Sequence, residues 1–241
     1  MKSKNLPVSV LVLACASFLL SSCMTIVNAE QNFLANTTKA EAYRQLYAEK
    51  PHVLLIMPPI NNSANVDAKD YFYTTLCVPL AEAGYYVLPP NLTLEVLQRE
   101  SAYDSERFID GDLSKFREVF GADAAVFTTI TAWTKSLLDS TVTVKIEYLI
   151  KSTKTNEVLY TKNGIVILDA SQDLGSDSLV ASLADAFLSA LSTMLSDFVD
   201  MAIICNNKAL SDLPAGRYSP KYGSDGSANA TQDTITINLI N

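Results

Sequence analysis

Few side chains in this chain are equipped for covalent or acid–base chemistry. Its nucleophiles and soft ligands come down to one histidine, His52, and four cysteines, Cys15, Cys23, Cys77 and Cys205. One imidazole cannot build HExxH, and no CxxC occurs. Neither GxxxxGK[ST] nor GxGxxG is present to cradle a phosphate, and neither GxSxG nor SxxK to raise a serine nucleophile. An EF-hand reading of Glu106–Gly111 fails because Phe108 stands where an oxygen ligand is needed. Carboxylate pairs such as Asp67/Asp70 and Asp110/Asp112 read as solvated charges or helix caps rather than as a glycosidase pair. His52 reads as a surface or edge residue, and Tyr85 and Tyr86 as packing aromatics. Cys77 and Cys205 read as small buried apolar groups, with a disulfide between them left open. The expectation is no catalytic residue, no metal, no cofactor, and hence no enzyme.

The remaining reactive thiol is Cys23. Lys2 and Lys4 form a short positive segment, and Val8–Leu20 is an uncharged apolar run too short to span a bilayer comfortably. Leu20-Ser21-Ser22-Cys23 then resembles the lipobox of bacterial lipoproteins. That resemblance implies cleavage before Cys23, diacylation of its sulfur and acylation of the new amine. Two or three chains anchor stably where one does not. Met24, in place of an aspartate, implies the outer membrane rather than retention at the inner one. Loss of Lys2 and Lys4 leaves 16 basic against 26 acidic residues, a net charge of −10. Lipid rather than basic charge must therefore hold the mature chain to a membrane. The acidic balance also argues against nucleic acid as a partner.

The elements behind these residues centre on positions 53–90. An apolar run, Val53–Ile60, is broken by Pro58 and Pro59. A helical pattern with Phe72, Leu76, Leu80 and Ala83 on one face stops at Gly84, and a second apolar run, Tyr85–Leu88, closes at Pro89 and Pro90. Strand, helix and strand in that spacing predict a βαβ unit with parallel strands covered on both faces. Asn91 is expected to cap a helix over 92–100, and Asp112 a helix carrying Leu113, Phe116 and Phe120. Ala124–Trp133, Thr141–Lys151 and Val158–Leu168 read as an antiparallel meander, with Gly164 as a bulge. A long apolar helix is expected from Ser176 or Asp177 to about Cys205, either buried or shared with an oligomer partner. Thr234–Leu239 alternates and reads as an edge strand or a flexible end. The fold class is α/β: a mixed sheet built on a βαβ unit plus a three-strand meander, with helices packed on it. Four parts are expected. They are a signal peptide over 1–22, a lipidated N-terminus and linker over 23–50, the mixed α/β periplasmic domain over 51–212, and a polar, partly flexible tail over 213–241.

Pro79-Leu-Ala-Glu-Ala-Gly-Tyr-Tyr-Val-Leu-Pro89 resembles the signature of a family of bacterial lipoproteins of unassigned function, typified by a neisserial outer-membrane lipoprotein antigen. Met57-Pro-Pro-Ile-Asn61, Phe120-Gly-Ala-Asp-Ala124 and Ser219-Pro-Lys-Tyr-Gly223 match in the same order, so the resemblance covers about residues 50–223. It implies a compact α/β domain similar to the N-terminal domain of the Tol translocation protein and to the periplasmic part of the curli secretion-channel lipoprotein. It further implies protein partners, either the chain itself or neighbouring lipoproteins, in envelope transport or assembly. No catalytic residue carries over.

These readings together predict a lipid-anchored docking or assembly component on the periplasmic face of the outer membrane. The alternative is a lipoprotein that binds a small envelope ligand. Its crevice would lie at the carboxyl ends of the parallel strands, near Pro58, Asn61, Asn62, Pro89 and Asn91.

Overall fold

A computed structural model of the chain describes residues 37–136, 141–169 and 198–239. Cys23 and the leader lie outside the described residues, as does the 176–197 portion of the expected long helix.

The βαβ unit forms as the apolar pattern requires. Strand β1 (Val53–Ile56) ends where Pro58 and Pro59 remove two ladder donors, and the chain rejoins the sheet as β2 (Ile60–Asn61). The crossover consists of two helices, α3 (Ala68–Thr75) and α4 (Cys77–Glu82), and β3 (Tyr86–Val87) returns parallel to β1. The break between the helices, at Leu76, sits three residues ahead of Pro79, which has no N–H to donate back to the end of the first helix. Helices α1 (Lys39–Ala42) and α2 (Arg44–Glu49) precede β1. Beyond β3 come α5 (Pro90–Arg99), a 3-10 turn at Ser105–Arg107, and α6 (Ser114–Phe120). The meander is β4 (Ala124–Ser136), β5 (Thr141–Ser152) and β6 (Val158–Asp169). Helix α7 (Phe198–Leu210) and strand β7 (Thr234–Leu239) follow.

The strand order is β3-β1-β4-β5-β6-β7, with β2 continuing β1's place beside β4. β1 runs parallel to β3 and β4, the meander is antiparallel, and β7 is parallel to β6. The sheet is therefore mixed, as expected. Two apolar layers flank it. On one face Leu54, Ile56, Val126, Ile146, Tyr148 and Val166 pack with Phe72, Leu76 and Leu80 of the crossover helices and Met201 and Cys205 of α7. On the other face Leu55, Met57, Ala125 and Phe127 pack with Leu97 of α5 and with Leu113 and Phe116 at α6.

Several expectations are corrected. The first concerns the stretch read as a linker up to Pro51, whose residues 38–49 are part of the packed body. Thr38 and Glu41 form a reciprocal capping box on α1, and Tyr43 and Leu46 are buried in the core. This segment is held by the chain's far end: Lys39 N–H donates to Ala228 O at 2.8 Å and Ala230 N–H to Thr37 O at 2.8 Å. Helix α5 starts at Pro90, not after an Asn91 cap, because proline at the first helical position loses no hydrogen bond.

Gly164 is not a bulge. It pairs in regular register with Ile146, and the irregularities lie between Ile130 and Ala132 and between Ile150 and Lys151. A β-carbon on Gly164 would stand 2.5 Å from Cys205 Sγ and 3.2 Å from the Tyr148 ring, so the absent side chain is what lets α7 lie on the sheet. The described part of the last helix is amphipathic, with Met201, Ala202 and Cys205 buried and Ile203 39% exposed, and it runs on to Leu210. Cys77 and Cys205 are both free thiols, and burial pushes the Cys205 thiol up to about 11.

Residues 213–219 pack on the domain, and β7 takes the edge-strand alternative. Gly84 (φ +96°) turns the chain from α4 into β3, and a β-carbon there would stand 2.4 Å from Ser219 N. Gly216 N–H donates to Ala83 O at 2.8 Å and Tyr218 N–H to Gly84 O at 2.9 Å.

Candidate functional site

All four sequence motifs meet around the parallel strands, and their roles are structural. Asp123 accepts from His52 N–H at 2.9 Å and Val53 N–H at 3.0 Å, fixing where β1 begins, while Arg117 pairs with its other oxygen at 3.1 Å. The Gly84 turn and Ser219 seal each other, and Tyr85 OH donates to Pro214 O at 2.8 Å. The Pro58-Pro59 break opens a gap at the carboxyl end of β1, where the sequence places its candidate crevice.

That gap is a crevice of about 520 Å³ bounded by the 58–66 loop, α3, α5 and the 103–106 turn. Asn61 shapes one wall. Its Nδ2 donates to Asn65 O at 2.7 Å, and its Oδ1 accepts from Ser63 N–H at 3.1 Å and Ser63 Oγ at 2.7 Å. Tyr73 rises from α3 with its hydroxyl 3.3 Å from Ile56 O and 3.1 Å from Pro90 O, tying β1 to the start of α5. Burial raises the Tyr73 phenol above its usual range. Ser105 Oγ donates to Pro58 O at 2.6 Å and so pins the turn to the proline break.

The rim is charged: Lys69, Asp70, Asp104 and Glu106 line the opening beside Tyr103. A hydrogen bond with the Asp104 carboxyl, and then burial, hold the Glu106 carboxyl above its usual range. Such a rim suits a polar ligand bearing both signs of charge. Ser63 and Tyr73 direct their hydroxyls at amide oxygens, so neither is paired with a base that would activate it.

Of the sequence-predicted site residues, Pro58 and Asn61 line this crevice. Asn62, Pro89 and Asn91 do not. Asn62 is exposed and its N–H donates to Ile130 O at 2.9 Å, Pro89 caps α5, and Asn91 is exposed on the first turn of that helix. The Lys69, Asp104 and Glu106 rim was missed. The only signal was a polar 101–111 stretch, which resembles any surface turn. A second hollow, of about 630 Å³, lies between α4, α7 and the 215–228 segment, with Glu82, Asn207, Lys221 and Asp225 among its lining. Among the described residues, no group of three or more His, Cys, Asp or Glu side chains could hold a metal ion.

A buried ionic cluster joins the two ends of the body. Lys162 and Asp212 are 1% and 2% exposed, with their charged atoms 3.1 Å apart. Lys162 Nζ donates to Tyr43 OH at 2.7 Å and to Thr231 O at 3.0 Å, and Tyr43 OH donates in turn to Asp212. Asp212 also accepts from Thr231 N–H at 3.0 Å. Burial pushes the Asp212 carboxyl up, but the Tyr43 hydroxyl, the Thr231 amide and Lys162 outweigh it and hold it below the usual range. This network binds α1, β6 and the segments flanking the tail. No atom of it opens onto the crevice.

The described body is a mixed α/β domain with a charged crevice at the carboxyl end of its first parallel strand. The chain is a member of the family described as "Putative lipoprotein GNA1162-like", whose model matches residues 41–217. The family resemblance read from the four motifs is thereby confirmed. A curated relative, "Putative lipoprotein NMB1124/NMB1162" of Neisseria meningitidis serogroup B, is 25% identical over 157 residues, covering 64% of this chain and 72% of the relative. Among solved structures, lipoprotein GNA1162 from Neisseria meningitidis is 23% identical, covers 59% of this chain and 99% of its own, and superposes with a TM-score of 0.47. A PelC dodecamer from Paraburkholderia phytofirmans is 12% identical, with 70% and 91% coverage and a TM-score of 0.41.

Proposed function

We propose that the chain is a lipid-anchored docking or assembly component of an envelope transport or secretion complex, and not an enzyme. It is held at the periplasmic face of the outer membrane by acyl chains on Cys23. The observation that carries this reading is the family match over residues 41–217 behind a lipobox cysteine. The segment from Cys23 to Thr37, where the described body begins, gives the domain a short leash. Fourteen steps at about 3.3–3.6 Å each allow at most roughly 50 Å. Confinement of that kind raises the effective concentration of neighbours to the point where weak interfaces suffice. The partners are further copies of this chain or other lipoproteins. The test is crosslinking in intact cells followed by purification of the native lipoprotein. Recovery of a defined protein adduct is the expected result, and recovery of none contradicts the docking role.

The second reading is a lipoprotein that binds a small envelope ligand, favoured by the crevice at the carboxyl end of β1 and its mixed-charge rim. A stoichiometric small molecule released on denaturing the purified protein, with no protein adduct in the crosslinking experiment, would select it.

A further inference from the structure

We infer that the crevice at the carboxyl end of β1 binds a small amino-acid-like zwitterion, its ammonium seated at Asp104 and Glu106 and its carboxylate at Lys69. The inference deepens the second reading proposed above and rests on it.

The strand order marks this end of the sheet. From β1 the chain crosses to β3 on one side, then returns past β1 to β4 on the other. The helices of the two crossings lie on opposite faces: Phe72 of α3 packs in one apolar layer and Leu97 of α5 in the other. Open α/β sheets hold their ligands beyond the carboxyl ends of the strands at such a reversal, where the flanking helices part. The crevice lies between these same two helices, with Lys69 and Asp70 from α3 and Leu94 and Gln98 from α5 in its walls. Its volume of about 520 Å³ falls within the roughly 300–1,000 Å³ of small-molecule sites.

Elimination shows which groups are left to meet a ligand. Both amide atoms of Asn61 are spent, on Asn65 O and on Ser63. Ser63 Oγ donates to Asn61, and the Tyr73 hydroxyl faces two main-chain carbonyls. Lys69, Asp70, Gln98, Tyr103, Asp104 and Glu106 remain. None of the four charged residues forms an ion pair among the described residues.

Asp104 and Glu106 stand close enough for their carboxyls to hydrogen-bond, and that contact needs a proton held between two acids. A primary ammonium brings three donors and a positive charge, so it replaces the proton and satisfies both carboxyls. A purely anionic ligand would meet three carboxylates, and a purely cationic one would meet Lys69. A molecule with one ammonium and one carboxylate answers both. Pro58, Leu94 and Tyr103 give its hydrocarbon portion an apolar wall.

Proton and ammonium then compete for one seat. Besides Asp104 on its own turn, Glu106 shares the crevice with Lys69 and Asp70 of α3, while α5 contributes only the uncharged Leu94 and Gln98. The phenols of Tyr73 and Tyr103 stay neutral below about pH 9. The contact with Asp104, and then burial, raise the Glu106 carboxyl, and Lys69 opposes them. Binding is therefore expected to strengthen as pH rises from about 4 to 7.

The test titrates the full lipidated chain in detergent micelles with four five-carbon probes, read by saturation-transfer NMR of the probe. L-norvaline and 5-aminopentanoate carry both charges, adjacent or apart; pentanoate and pentylamine carry one each. At least one zwitterion is expected to bind at one site per chain, with pentanoate and pentylamine each at least about tenfold weaker. Lys69→Met and Glu106→Gln alter exposed side chains, so their urea midpoints are expected to hold while zwitterion affinity falls about tenfold. Glu106→Gln is also expected to flatten the rise in affinity with pH. Pentylamine or pentanoate binding as tightly as the zwitterions overturns the ligand class and leaves the small-ligand reading standing. So does silence of all four probes when the native protein releases a different stoichiometric small molecule. Undiminished affinity in Lys69→Met and Glu106→Gln overturns the assigned seats. Silence of all four probes with no molecule released overturns the small-ligand reading itself.

Discussion

The two halves of the sheet meet at β4 and are stabilised by different means. In the parallel half, β3-β1-β4, helices cover both faces, and Leu54, Leu55, Ile56, Met57, Val126 and Phe127 are all within 1% of complete burial. In the other half, β5-β6-β7, α7 and the N-terminal helices cover one face, while Lys145, Glu147, Thr161 and Asn163 stand exposed on the other. The first half is a closed apolar sandwich. The second buries polar groups as well. Lys162 and Asp212 pair under Tyr43, and Tyr148 OH donates to Asn206 Oδ1 at 2.7 Å, whose Nδ2 donates to Thr75 Oγ1 at 2.8 Å. Helical cover on both sides leaves little free surface on β1, and only Tyr86 of β3 stands well exposed among the paired parallel residues.

If this contrast is right, truncations on the two halves must differ. Phe127→Ala removes a fully buried ring from the closed half and is expected to cost about 3–5 kcal/mol in urea unfolding. Ile165→Ala, half-buried on the bare face, is expected to cost under about 1.5 kcal/mol. Equal costs would erase the distinction. The buried pair gives a second large effect: Asp212→Ala leaves Lys162 as an uncompensated charge and is expected to cost about 3–5 kcal/mol, whereas Lys162→Met with Asp212→Leu recovers most of that loss. A double variant as unstable as the single one would show that shape, not charge, governs the site. A moderate effect is expected at Gly164→Ala, where the new methyl meets Cys205 Sγ; overpacking there should cost about 1–3 kcal/mol, and Cys205→Ala in the same chain should relieve part of it.

The smallest and most specific effect is on pH. The Asp212 carboxyl titrates below its unfolded value, so its stabilisation is complete above an unfolded pKa of about 3.9 and is lost as pH falls through the lower folded value. Urea midpoints between pH 6 and about pH 3 should therefore fall more steeply for the unaltered chain than for Asp212→Asn. Parallel curves would place the acid sensitivity elsewhere.

The parallel strands and the meander were legible because burial on two faces writes a continuous apolar run, and burial on one face writes alternation. Val144, Ile146, Tyr148 and Ile150 turn inward as their spacing requires. Lys151 lies on the opposite phase, yet it is buried and its Nζ donates to Ile109 O at 2.7 Å. No local pattern announces a lysine whose partner is 42 residues away. The same applies to Lys162 and to α1. Their surroundings are supplied by residues 212 and 225–231, and a short polar helix looks like a linker until that segment lies against it. In the crevice, Pro58 and Asn61 were legible because strand ends mark such sites. The Asp104–Glu106 rim was not, since a carboxylate's neighbours across a turn leave no trace in spacing. The resemblance of Leu20-Ser21-Ser22-Cys23 to a lipobox, by contrast, needs only four consecutive residues.

The tether is the claim on which the functional account turns, and mass spectrometry of the mature protein extracted from membranes tests it most directly. The account predicts an N-terminal peptide that begins at Cys23 and carries the mass of acyl chains on its sulfur and amine. A mature chain that retains residues 1–22, or begins at Cys23 with a free thiol and amine, would contradict it.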